Sequence, residues 1–146
     1  MNRLTSLPLV FRVVAIVESL YAAVGLLTPP SMVFAVTGWT LSPDGQWVTK
    51  LLAVALGSQA WVAWTLRNNP HSGVAAALAF YQLGSATVDW VIWLTLADQG
   101  VFATTAAKVG VLASIPTHYA LGILLVAGIR SASRTVIVGT PALARG

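Results

Sequence analysis

Glu18, Asp89 and His118 are the residues of this chain best suited to move a proton or to hold a charged or polar ligand. A carboxyl taken out of water resists ionisation, and an imidazole titrates near neutral pH. A carboxyl–imidazole set can therefore shuttle protons, act as base and acid, or bind a cationic group. Around these three stand Gln59, Gln82 and Ser85, with Trp90 beside Asp89. Gln82, Ser85 and Asp89 share one helical face by their spacing, as do Ser114, His118 and Gly122. Pro116 frees the carbonyl of Leu112, and a kink there would open space beside His118.

What makes these residues notable is their setting. The chain has 146 residues, 57% of them hydrophobic and only 8% charged, and its mean hydropathy is +0.80. A soluble domain carries about 25% charged residues. A surface this poor in charge suits lipid, and the expected class is an all-α integral membrane protein forming one domain.

Four apolar stretches reach the ~20 residues needed to cross a bilayer. They run over about 7–27, 47–66, 73–97 and 105–129, with a tail over 130–146. Ser6 and Pro8 suit the start of the first, and Pro29-Pro30 ends it. Its length, together with Arg12 and Glu18 inside it, reads as a retained helix rather than a cleaved leader. Within the long connection after it, Ser31–Val36 suits a short helix at the membrane surface, and Asp44-Gly45 marks a turn. The tail, with its short β-prone run Thr135–Val138 and Pro141, is expected to be mobile.

Charge sets the expected orientation. Arg3, Arg67, Arg130, Arg134 and Arg145 fall on one side, and Asp44 and Asp98 on the other. Basic residues mark the cytoplasmic face, so the expectation is a four-transmembrane-helix bundle with both ends inside the cell, N-in/C-in. The corresponding location is the plasma or inner membrane, crossed several times. Lys50 and Lys108 lie just inside helix starts on the outer side and are expected to snorkel outward. Trp61 and Trp64 read as inner-interface anchors, and Trp39, Trp47 and Trp93 as outer ones. Small residues at Ala15/Ser19/Ala23, Ala53/Gly57 and Gly110/Ser114 offer close helix contacts.

An ionisable group near the bilayer centre costs about 2.5–3.5 kcal/mol on insertion scales, which favours a functional reading of Glu18, Asp89 and His118. Glu18 and His118 fall near their helix midpoints, with Asp89 about 6–7 Å outward and Arg12 about as far inward. Gln59 and Gln82 read first as interhelical hydrogen-bonding groups, and with Ser85 and Trp90 as candidate ligand contacts. Arg12 is expected to reach the inner interface or a partner, and His71, after Pro70, to be solvated. Two histidines far apart in sequence and no cysteine give no metal site, and nothing calls for a cofactor. The net charge of +4 forms no stripe, so nucleic acid is not an expected partner. The expected partners are the lipid bilayer, a lipophilic ligand, and a second copy or a membrane enzyme.

The layout resembles small bacterial four-helix membrane proteins of the DoxX-like kind. The matching features are Phe11-Arg12, Gly25-Leu26-Leu27-Thr28-Pro29 at the end of the first helix, the Ala/Gly-rich Leu52–Gly57, and the polar break before the third helix. They cover about half the chain, and the resemblance implies a lipophilic ligand or a partner enzyme. Ala15-Ile16-Val17-Glu18 resembles the first helix of small multidrug transporters, which implies a proton-coupled carrier using Glu18. The later helices depart from that pattern. Carboxylates and a histidine in a small bundle also resemble the sterol-isomerase and sigma-receptor domain, implying an intramembrane isomerase that uses Glu18, Asp89 and His118.

Overall fold

The computed structural model describes residues 6–96, 99 and 104–138, with side chains described to residue 133. Among them run five helices: α1 (Leu7–Leu27), α2 (Pro30–Thr37), α3 (Pro43–Leu66), α4 (Ser72–Thr95) and α5 (Thr105–Val138). Arg3, Asp98, Pro141 and Arg145, used above for topology and for the tail, lie outside the described residues, as does the side chain of Arg134.

Local chemistry explains the helix ends. Pro8 stands in the first turn of α1, where its missing N–H costs nothing. Ser6 flanks it in extended conformation, but its side chain makes no capping bond, contrary to expectation. Instead the Ser6 carbonyl accepts from the amides of Leu9 and Val10. α2 fulfils the expectation of a short helix and ends at Gly38, whose φ of 69° is left-handed. α3 begins before Trp47, where the sequence placed it. Ser42 caps it by accepting from the Gly45 amide at 3.0 Å, Pro43 opens it, and Asp44 lies in its positive first turn. The Asp44-Gly45 turn signal is thus a helix start. His71 caps α4, its Nδ1 accepting from the Gly73 amide at 3.1 Å.

The expected end at Ile129 and the β-prone tail are corrected as well: α5 continues to Val138. No proline or glycine interrupts Arg130–Val138, so nothing stops the hydrogen-bond ladder there. Pro116 sits within this continuous helix, and Thr117 donates its hydroxyl to the Ala113 carbonyl at 2.9 Å.

The helices pair as antiparallel hairpins. α1 packs along α3, and α4 along α5. Gly25 meets Ala53, and Ala22 meets Gly57, so position numbers rise on one helix as they fall on the other. The α1 stripe is therefore Ala15, Ala22 and Gly25, while Ser19 and Ala23 face outward. On α5 the close approach falls at Gly122, against Leu83, while Gly110 faces open space. α1 joins the two hairpins through α5, and α2 leans on α5. α3 and α4 do not pack along their lengths, which leaves a seam on that side.

Large apolar side chains stand at the periphery, and a few polar ones are buried. Phe80 is 82% exposed, Trp61 73% and Leu20 63%, while Glu18 and Gln82 are fully buried. An apolar core of Leu7, Val10, Phe11, Val14, Leu78 and Leu125 fills the space below them. α1 and residues Thr105–Ser133 of α5 are long and apolar enough to cross a membrane. α3 and α4, at 24 residues each, have the length but a more polar composition.

Candidate functional site

Three side chains from three helices form one buried hydrogen-bonded chain. Gln82 of α4 donates its Nε2 to Oε1 of Glu18 on α1. Its Oε1 faces Nδ1 of His118 on α5 at 2.5 Å. Since the amide nitrogen is spent on Glu18, its oxygen must be the acceptor, and Nδ1 must carry the proton. The ring is held on two sides: Tyr21 stacks on it at 6.0 Å and 17°, and Tyr81 meets it edge-on at 6.2 Å and 84°. Such aromatic packing fixes the imidazole plane.

Glu18 and His118 thus sit at one level, as their positions in the helices require, but they do not touch. An amide separates them. The two groups are therefore linked through Gln82 rather than by a direct hydrogen bond. Glu18 Oε2 is buried and has no hydrogen-bond partner among the described residues, and Gln59 Oε1 on α3 is in the same state. Buried polar oxygens without partners are uncommon in native structures.

Asp89 lies further along α4. Its Oδ2 is 3.0 Å from the Ser114 hydroxyl, which shares its proton with the Val111 carbonyl at 2.8 Å. Asp89, Ser85, Tyr81 and His118 line a cavity of about 510 Å³, together with Leu52 of α3. A second cavity of about 650 Å³ runs toward the other end of the seam, between Ser58, Gln59 and Val62 of α3 and His71, Val74 and Tyr81 of α4. Tyr81 lines both.

The structure therefore brings together Glu18, Gln82 and His118, and it sets Asp89, Ser85 and Gln59 along the adjoining seam. Trp90 is not brought in: it is 41% exposed and lines neither cavity. Its one-residue offset from Asp89 turns it about 100° away on an α-helix. Tyr21 and Tyr81 escaped the sequence reading, although Tyr21 lies one turn beyond Glu18 and Tyr81 adjoins Gln82.

Two basic residues also have partners that spacing could not assign. Arg12 donates to Asn68 Oδ1 at 3.1 Å. Lys50 reaches the C-terminal end of α1. Its Nζ donates to the carbonyls of Gly25, Leu26 and Thr28 at 2.9, 2.7 and 3.3 Å, capping the negative end of α1. No protein-family model, curated protein or solved structure matches the chain.

Proposed function

We propose that this is a multi-pass membrane protein in which α1, α3, α4 and α5 all span, with both ends on the cytoplasmic side, and that it binds a lipophilic small molecule in the α3/α4 seam. The apolar periphery supports the membrane setting, since lipid stabilises exposed Phe80, Trp61 and Leu20 where water would not. Both hairpins are antiparallel, so Arg12, the Arg67 turn and Arg130 belong to helix ends on one side, in keeping with the positive-inside pattern. The DoxX-like resemblance belongs to this proposal and adds the prospect of a membrane partner enzyme.

The observation that carries the binding role is the seam itself. Two adjoining cavities lie between helices that do not pack together, and buried oxygens of Glu18 and Gln59 remain unpartnered. An apolar wall with a few fixed polar groups is what a small-molecule site presents. Ligand reaches such a seam sideways from the bilayer, which concentrates lipophilic molecules.

Native mass spectrometry of the protein extracted with its own lipids tests this, wild type against Glu18→Gln. The expected result is a co-purifying small molecule, depleted in the variant. Equal retention in both, or a bare protein in both, would overturn a site built on Glu18.

A further inference from the structure

Resting on that binding role, we propose that the ligand is a lipophilic amine, held as an ammonium by Asp89 with its apolar body lying along the α3/α4 seam.

The argument is one of donor and acceptor supply. Two buried oxygens in and beside the seam, Glu18 Oε2 and Gln59 Oε1, have no partner among the described residues. Asp89 lines the cavity, and its Oδ2 accepts from the neutral hydroxyl of Ser114. Glu18 is fully buried and His118 is 8% exposed, so these are built positions rather than surface chance. No contact joins a lysine or arginine to either carboxyl among the described residues. Arg12 is engaged with Asn68, Lys50 with the α1 carbonyls, and Arg67 with Trp64.

A ligand completing this site must therefore bring protons and positive charge. A carboxylic acid would set like charge against Asp89. An alcohol would supply one donor and leave the charge uncompensated. A protonated amine supplies both, and Tyr81 and Phe80 beside Asp89 offer ring faces and apolar surface to its substituents. The length of the seam, from His71 to Asp89, suits an extended hydrocarbon body.

The test is equilibrium binding to the full chain in phosphatidylcholine nanodiscs, with empty nanodiscs subtracted. The probe is tritiated N,N-dimethyldodecylamine, and the competitors are unlabelled amine, dodecan-1-ol and dodecanoate. Saturable amine binding is expected, displaced by the unlabelled amine but by neither dodecan-1-ol nor dodecanoate. Asp89→Asn, which keeps the shape and the Ser114 contact, is expected to weaken it at least about tenfold. Asp89→Glu should restore most of that loss, and Asp44→Asn, at the start of α3, should change nothing. If Asp89→Asn binds the amine as tightly as wild type, or if dodecan-1-ol or dodecanoate displaces it with equal potency, the amine assignment is wrong while lipophilic binding stands. If neither the amine nor tritiated dodecan-1-ol binds saturably, both proposals fail.

Discussion

Gln82 is the residue on which the buried polar layer turns. Its amide satisfies one oxygen of Glu18 and one nitrogen of His118, on helices that approach it from different sides. Gln82→Leu fills a similar volume but strands both partners in an apolar interior. Each stranded group costs about 1–3 kcal/mol, partly relieved if Glu18 and His118 relax toward each other. We expect an overall loss of about 2–4 kcal/mol, read as reduced resistance to denaturant in mixed micelles. Gln82→Glu, able to hold both neighbours when protonated, should lose less. Equal stability of wild type and Gln82→Leu would mean that the layer is hydrated and that water replaces the amide. Much at this scale was legible beforehand. Membrane-depth arithmetic put Glu18, Gln82 and His118 close in level, because helical rise is uniform. The order of contact was not legible, since it depends on how each helix is rotated about its axis. Spacing along one helix says nothing about another's rotation, which is why the Glu18–Gln82–His118 chain and the flanking tyrosines emerge only in three dimensions.

At the scale of the helix pair, the tightest seam is α1 against α3. A methyl group added at Gly25 would lie 2.7 Å from the Cβ of Ala53, an atom bonded to backbone that cannot swing aside. Gly25→Ala is therefore expected to push the pair apart and to cost about 1–3 kcal/mol. At Gly84 nothing lies within 4 Å, and Gly84→Ala should gain a few tenths of a kcal/mol to about 1 kcal/mol from helix propensity. Thermal unfolding of the two variants in the same detergent gives the comparison. A loss at both positions would point to a general intolerance of bulk rather than to this contact. Lys50 belongs to the same pair, since its ammonium closes the carbonyl end of α1 from α3. The helices themselves were readable from apolar runs and proline stops. Their starts and ends were less so. Ser42-Pro43-Asp44 is a good helix opening that a turn signal masked, and α5 runs past Arg130 because a positive charge ends a hydrophobic run without ending a helix.

For the whole molecule, the question is how many helices cross. α1 and α5 are apolar enough by composition alone. α3 and α4, at 24 residues, reach about 36 Å at an ideal rise, which exceeds the ~30 Å hydrocarbon thickness. Their lower apolarity has a physical source: Gln59, Ser85 and Asp89 line the seam and Gln82 holds the buried layer beside it, and a helix that supplies polar groups dilutes its own hydrophobic signal. On the four-span proposal, composition undercounts the two helices that line the seam. The chain has no cysteine, so single cysteines can report sidedness without background. Thr40 lies between α2 and α3, and Asn69 lies in the turn between α3 and α4; both are exposed. With four spans and both ends inside, Thr40→Cys should react with a membrane-impermeant maleimide on intact cells. Asn69→Cys should react only after permeabilisation. If α1 and α5 alone cross, α3 and α4 lie on one face and the two cysteines must behave alike. If the labelling is reversed, four helices still cross but with the ends outside, and the positive-inside reading of Arg67 and Arg130 is what fails.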